Sequence, residues 1–369
     1  MAEETTDTTQ PARKRLSYRD AGVDVDEEAR NVKALVSALT PTREGRMGEP
    51  IPLPGGYAGL VRFGDHALAL CTDGVGSKLE LARAMGRFDT VGIDCIAMNV
   101  NDAICVGAEP IAFVDYLAVE KHDEEFMRQV GQGLARAAEL ADVSIIGGET
   151  ATLPGIVRGF DLAGTCLAVA PEDQIITGKK VRPGDAIIGV SSHGLHSNGY
   201  TLVRRLVEQE GLKLDEPFPG YGLERHTVGD VLLEPTRLYV RLVRALLDSD
   251  VDIHAIAHVT GGGLLNLPRM NEGLRYSIQS PLEPQGVYKW IQQAGNVETK
   301  EMYRTFNMGM GLSVVVDEAD TKQALDVIKQ TTKDDAPMLV AGNQGEGPRI
   351  VGHVEEGTGV RLEPYDLDF

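Results

Sequence analysis

Residues 71–78 read CTDGVGSK. An apolar run over 66–71 reads as a buried strand, and it delivers Asp73 into a turn with Gly74 and Gly76 before a helical pattern begins near Ser77. Backbone N–H groups of a glycine turn at a helix start can hold phosphate, and a carboxylate beside them can hold the magnesium that phosphate brings. The pattern is not a P-loop, because Ser77 separates Gly76 from Lys78 where GxxxxGK[ST] needs them adjacent. Alone, an Asp-Gly after a strand is equally a plain turn.

Other stretches carry chemistry at suitable spacing. Residues 92–102 read GIDCIAMNVND within an expected helix, and Asp94, Asn101 and Asp102 stand at i, i+7 and i+8 on one face with apolar flanks. Carboxylates on a nearly buried helix are costly unless compensated, and a metal–nucleotide complex would compensate them; a solvent-facing polar stripe is the competing reading. IIGGET, at 145–150, is an apolar strand ending in Gly147, Gly148 and Glu149, where a ligand can approach the backbone closely. GLHSNGY, at 194–200, puts His196 and Asn198 ahead of a helix with Ser197 as its expected N-cap, which suits a phosphate contact, a proton shuttle or simple capping. TGGGLLNLPR, at 260–269, is an anion nest or a flexible turn. His254 and His258 are four apart without a third spaced ligand, so both are expected to be structural.

Strand ends and helix starts must hold these groups. The patterning predicts strands at 60–63, 66–72, 111–119, 143–147 and 160–169 and helices at 77–86, 90–106 and 124–140, an α/β or α+β arrangement. Ahead of them come a polar segment 1–16, read as a disordered tail, and a helical pattern through Val32, Leu35, Val36 and Leu39. A loop over 41–59 then holds four prolines and five glycines, including Gly55 and Gly56. The Pro-containing segment 171–185 reads as a domain junction, placing domains at 17–172 and 173–369. Beyond it the pattern predicts a strand at 186–191, a helix after Ser197, helices near 228–248, 286–294 and 319–330, and strands near 274–279, 311–316 and 349–354.

A chain of 369 residues can bury two cores. Its 55 acidic against 36 basic residues give a net charge of −19, which disfavours a nucleic-acid or anionic-membrane partner. Among the basic residues 24 are Arg and 12 Lys; an acidic excess with few Lys suits concentrated salt, where self-repulsion is screened. Cys71, Cys95, Cys105 and Cys166 form no CxxC pair and read as reduced core thiols of a cytoplasmic protein. No apolar stretch reaches the length of a membrane span, and the first ten residues lack an apolar export signal.

In order and spacing, YRDAGVD (18–24), TDGVGSK (72–78), GIDCIAMNVND (92–102), GAEPIAFVDY (107–116), GGETATLPG (147–155), GLHSNGYTLVRR (194–205), HVTGGGLL (258–265) and EMYRTFNMGMG (301–311) resemble the phosphoribosylformylglycinamidine cyclo-ligase family. The last fifty residues resemble it only loosely. The resemblance implies an N-terminal mixed sheet with helices that pairs across a homodimer, a C-terminal α/β sandwich, and an ATP site in the cleft. It implies that ATP and formylglycinamidine ribonucleotide give aminoimidazole ribonucleotide, ADP and phosphate, through phosphorylation of the formyl amide oxygen. Carried to this chain, it puts Asp73, Asp94 and Asp102 at Mg²⁺ and triphosphate, and Glu149, His196 and Asn198 near phosphates or substrate. The implied catalytic set is Asp73, Asp94, Glu149 and His196, with Arg19, Gly55, Gly56, Gly74, Asn101 and Gly148 also at the nucleotide.

Two departures from the family pattern stand out. Arg19 replaces the usual Lys, and TGGGLLEN is shortened to TGGGLLN, which bears on Asn266 and Arg269. The rival readings are another ATP enzyme of the same architecture, such as selenophosphate synthetase, a hydrogenase-maturation protein or thiamine-phosphate kinase, or a non-catalytic nucleotide binder. Selenophosphate synthesis typically relies on an N-terminal Cys or selenocysteine, and the first Cys here is Cys71. A mere binder has little need of so many acids.

Overall fold

Ala67, Ala69 and Cys71 are buried while the residues between them are more open, the period-two pattern of a strand with one covered face. A computed structural model describes residues 16–19, 21, 22, 25–53, 55–331, 340 and 345–369 of the chain. Its first half comprises α1 (Val25–Ser37), β1 (Pro50–Ile51), β2 (Gly59–Phe63), β3 (His66–Gly74), α2 (Lys78–Met85), α3 (Val91–Cys105), β4 (Glu109–Val119), α4 (Glu124–Ala141), β5 (Ser144–Thr152) and β6 (Phe160–Pro171). The six strands form one sheet in the order β1-β2-β3-β6-β4-β5, antiparallel except for the β4/β5 pair.

One face of this sheet is covered by α3, which α4 backs. The two helices meet at glycines: a Cβ on Gly92 would lie 2.4 Å from the Leu134 nitrogen, and one on Gly133 would lie 2.4 Å from the Asp89 oxygen. Only two glycines permit that approach. α4 starts where Asp123 accepts the Phe126 N–H at 2.8 Å, a side-chain N-cap.

The second half comprises β7 (Ala186–Ser191), α5 (Tyr200–Gln209), α6 (Val228–Leu232), α7 (Val240–Leu247), β8 (Ile253–His258), β9 (Leu274–Ile278), α8 (Gly286–Gly295), α9 (Thr299–Thr305), β10 (Met310–Val316), α10 (Thr321–Thr331), β11 (Arg349–Glu356), β12 (Gly359–Leu362) and β13 (Leu367–Asp368). Its seven strands run β13-β12-β9-β11-β7-β10-β8. Strands β7, β8 and β10 are buried along their whole length, and β7 and β10 accordingly read as apolar runs rather than alternations.

Three expectations need correction. The single helix over 228–248 is two, α6 and α7, separated by an irregular stretch containing Pro235, which has no N–H for a helix and clashes with the preceding turn. A strand, β8, occupies 253–258, where none was predicted. Residues 1–15 of the expected tail lie outside the described residues, whereas Leu16 is buried and donates its N–H to the Gly295 oxygen at 3.1 Å. The helix through Val32, Leu35 and Val36 is present as α1, with those side chains exposed.

Candidate active site

α3 lies at the seam between the two halves, against β3, β4 and β6 on one side and β8 and α7 on the other. Its polar residues share a face, as their spacing predicts, but that face meets protein. Asp94 is fully buried; its Oδ1 accepts from the Thr236 N–H at 2.8 Å, the Thr236 hydroxyl at 2.7 Å and Lys78 Nζ at 2.9 Å. Asn101, also fully buried, donates to the Arg237 oxygen at 2.8 Å and accepts from the Tyr239 N–H at 3.0 Å. Asp102 accepts from His258 Nδ1 at 2.9 Å. The three therefore brace residues 236–239 and the end of β8, and burial excludes the solvated-stripe reading.

Asp73 ends β3 on its helix-covered face, in the alternation of Ala67, Ala69 and Cys71. Its Oδ1 accepts the Gly74 N–H at 2.7 Å. Asp73 is exposed at the strand end; loss of hydration against the surrounding protein, reinforced by repulsion from Asp102, pushes its carboxyl above the usual carboxylate range, against the pull of the Gly74 N–H and of His258. The Gly74 N–H of the expected phosphate turn is therefore spent on the Asp73 carboxylate.

His196 is fully buried in the turn before α5, at φ 57°, a left-handed conformation rare for a residue with a Cβ. Its Nε2 accepts from the His193 N–H at 3.2 Å, which leaves the proton of the neutral ring on Nδ1. Burial, with His258, His193, Lys78 and Arg237 adding positive charge, holds the imidazole well below its ordinary pKa. Its ring lies 6.3 Å from that of His258 and 6.2 Å from that of Tyr239. With Nδ1 of His258 turned to Asp102, its other ring nitrogen, Nε2, is left for a ligand. His196 Nδ1, His258 Nε2 and Asn198 Nδ2 are buried and have no partner among the described residues. Buried polar atoms left open at one seam are what a polar ligand would satisfy. Ser197 does not cap α5; its hydroxyl meets that of Thr236 at 3.2 Å, and Gly199 holds the cap position at φ 76°.

The glycines of the long loop face Arg269. Its Nε and Nη2 donate to the Gly55 and Gly56 oxygens at 3.1 and 3.2 Å, its guanidinium stacks 4.0 Å from the Tyr57 ring centroid, and the Tyr57 hydroxyl donates to the Asn266 oxygen at 3.1 Å. A Cβ on Gly55 would sit 2.7 Å from the Arg269 oxygen. The shortened TGGGLLN segment still brings Asn266 and Arg269 together, at 3.3 Å. Arg19 is exposed on a turn whose neighbour Tyr18 donates its N–H to Glu301 at 2.8 Å, so it rides on the C-terminal half.

Other expected site residues are not gathered with Asp73. Sheet register pairs Gly148 with Asp115 and Glu149 with Tyr116, which puts Gly148 on the Asp73 face and Glu149 on the opposite, open face. Asp73, Asp94 and Asp102 do not form one ligand set: Asp94 is committed to Lys78 and Thr236, and among the described residues no three His, Cys, Asp or Glu side chains converge on one point. The metal role assigned to Asp94 is corrected on that ground, because its carboxylate already neutralises a buried ammonium. His254 is structural as expected, its Nδ1 2.6 Å from Asp185.

Sequence reasoning read His258 as structural, left Lys78 without a role and did not single out Asp115. His258 sits at a strand end next to the TGGG turn, the same kind of position that made Asp73 conspicuous. Asp115 occupies one row with Asp73 across Gly164, and burial raises its carboxyl pKa. No sequence signal separates it from a solvated strand residue.

Residues 55–170 match the family described as AIR synthase related protein, N-terminal domain, and residues 182–362 match its C-terminal domain. The phosphoribosylformylglycinamidine cyclo-ligases of Methanosarcina barkeri and Methanococcoides burtonii are 52% and 48% identical to the chain, each over 96% of it and 99% of their own length. The likeness therefore extends into the last fifty residues. Among solved structures, a Thermus thermophilus protein, tt0281, superimposes with a TM-score of 0.59 at 20% identity, covering 92% of this chain and 98% of its own. The hydrogenase maturation protein HypE in complex with ATP gives 0.55 at 20% identity, over 78% and 77%. These two share the fold. With both family domains in order and relatives of this identity along nearly its whole length, the chain belongs to the phosphoribosylformylglycinamidine cyclo-ligases, the ATP-dependent enzymes that close the imidazole ring in purine biosynthesis.

Proposed function

We propose that the reaction is carried out at the seam beside α3, with the triphosphate of ATP at the end of β3 and formylglycinamidine ribonucleotide against the His196 turn. The observation that carries this reading is the set of open buried polar atoms on His196, His258 and Asn198 next to Asp73 and Asp102. Asp73 and Asp102 fit a Mg²⁺ site of the sparse kind, in which one or two carboxylates hold the ion and phosphate oxygens complete its shell. Such an ion would neutralise the charge of the triphosphate and of the phosphoryl group in transfer.

The protein's own groups then orient the substrate. The Nδ1–H of His196 can donate to the formyl oxygen, and the Nε2 lone pair of His258 can accept from the amidine nitrogen. Once the formyl oxygen carries a phosphoryl group it becomes a leaving group; attack by that nitrogen closes the ring and phosphate departs. Holding both reacting atoms of one molecule in contact supplies much of the acceleration. Gly148, in one row with Asp73 and Asp115, acts at the nucleotide from the covered face, Glu149 only through the open face of the sheet, where a second copy would lie, and Arg19 only by folding over from its turn.

The apolar open face of the first sheet supports a homodimer. Four buried free cysteines support a reducing compartment, the cytoplasm, and no helix among the described residues is long and apolar enough to cross a membrane. The charge of −19 with 24 Arg and 12 Lys supports a source rich in salt. The division of the strands into two sheets, β1–β6 and β7–β13, supports domains at 17–172 and 173–369. The test is purified protein with formylglycinamidine ribonucleotide, ATP and Mg²⁺ across a series of salt concentrations. Aminoimidazole ribonucleotide should accumulate with wild type and fall to background for Asp73→Ala, whose assembly stays as in wild type. A near wild-type rate for that variant would remove Asp73 from the site.

A further inference from the structure

Lys78 closes the stretch CTDGVGSK and has no part in the chemistry above, yet it is fully buried at the start of α2. Its Nζ lies 2.9 and 2.8 Å from the two oxygens of Asp94, 3.1 Å from the His196 oxygen and 2.6 Å from the Glu234 oxygen. An ammonium has three protons, and three acceptor groups take them: one carboxylate of the N-terminal half and two backbone carbonyls of the C-terminal half. The ring of Tyr200, at the first position of α5, lies 5.6 Å from the same nitrogen. No proton remains for a phosphate, and no surface remains for one to reach.

We propose that Lys78 is a positioning residue: its ammonium ties the His196 and Glu234 backbone to the N-terminal half and so fixes the His196 turn over the site. The inference rests on the reading of that turn as part of the active site. Three observations carry it. The carbonyl that Lys78 holds belongs to the residue at φ 57°, a conformation that persists only where its surroundings impose it. The carboxylate that balances the charge also holds Thr236, two residues from the Glu234 carbonyl and one from Arg237, whose oxygen Asn101 binds. The ion pair is wholly desolvated, a costly arrangement that stability alone does not call for, since apolar residues of similar volume generally serve as well. Burial pulls the Lys78 pKa down while Asp94 pulls it back up.

The role differs in its consequences from that of a phosphate lysine. A lysine on the triphosphate loses ATP affinity when removed; a lysine that aims His196 loses turnover and leaves ATP binding alone. Lys78→Met by itself strands the Asp94 charge and threatens the fold, so the informative variant is Lys78→Met/Asp94→Asn, which removes both charges and keeps an acceptor for Thr236. Thermal unfolding should show a cooperative transition. In steady state, kcat should fall at least about 30-fold while KM and the directly titrated Kd for ATP stay within about threefold. A Kd for ATP raised tenfold or more, or a kcat equal to wild type, would overturn the proposal.

A second measurement needs no variant. Amine-reactive footprinting of the wild-type protein, read by mass spectrometry, should leave Lys78 unmodified both without and with saturating ATP. Modification without ATP and protection with it would mean that Lys78 binds nucleotide, and the idea would fail. Wild-type turnover of formylglycinamidine ribonucleotide and the loss of turnover in His196→Ala, run alongside, test the reading of the site separately from the part given to Lys78.

Discussion

A carboxylate desolvated by its own fold and repelled by a neighbour stores free energy that a cation can release, and Asp73 stands in that position. Its folded pKa is raised, so its ionised form costs stability, a cost that accrues as pH rises from the unfolded value through the folded one. Asp73→Asn removes the charge and keeps an acceptor for the Gly74 N–H. Calorimetry should show Tm rising while turnover falls at least about 100-fold; a lower Tm would contradict the strain assigned to this site. His193 and His196 act with the opposite sign. Burial lowers His193 to about 3 and His196 well below its ordinary value. The unfolded chain therefore takes up protons below about pH 6.5 that the folded chain refuses, and each residue should cost about 1.4 kcal/mol per pH unit below that point. Urea midpoints between pH 7.5 and 5 should fall, and His193→Asn should flatten the slope. The residue types at the site were legible in the sequence because Asp73, His196 and Asn198 follow or precede glycine turns. Their partners were not: Asp94 and Asp102 look alike on one helix face, and only the fold reveals that one meets Lys78 and the other His258.

At the scale of elements, most strands and helices of the first half were readable nearly to their ends, since one face of the sheet is covered, β6 alternates strictly and β3 does so as far as Cys71, whereas β5 runs five residues past its expected end at 147. The second half was harder for a physical reason. β8 is buried on both faces and carries His254 and His258, so it shows neither alternation nor a clean apolar run. The break between α6 and α7 was signalled by Pro235, yet the apolar periodicity on both sides suggested one helix. The long loop was legible as a loop, but its anchor was not. Arg269 holds it through the Gly55 and Gly56 carbonyls and through stacking on Tyr57, contacts that depend on a planar fork. Arg269→Lys should therefore behave like Arg269→Ala: limited proteolysis should cut within residues 41–57 faster in both, and kcat/KM should fall about tenfold or more. Full activity and wild-type protease resistance in the Lys variant would show that charge alone secures the loop.

At the scale of the whole molecule, one surface is out of keeping with a chain of charge −19. The face of the first sheet opposite α3 presents Leu70, Val114 and Tyr116, all exposed, with Ile111 and Ile146 nearby on β4 and β5. Apolar side chains contiguous over two or more strands mark a surface that another protein covers. A second copy of the same sheet is the partner that the homodimer reading requires, and a closed symmetric pair would bury the same patch on both subunits. Salt should strengthen it, because screening weakens the repulsion between two acidic subunits while apolar burial persists. Sedimentation equilibrium of the wild-type chain should therefore give a dimer whose dissociation constant falls as KCl is raised from 0.1 to about 2 M. Leu70→Glu/Val114→Glu places two carboxylates where they would be buried without partners, and that variant should sediment as a monomer over the same range. Because Glu149 opens onto this face beside Tyr116, the monomer should also lose turnover while its His196 turn stays folded. A variant that remains dimeric would show that the sheets do not meet here. A fully active monomer would show that Glu149 needs no second copy to serve the reaction.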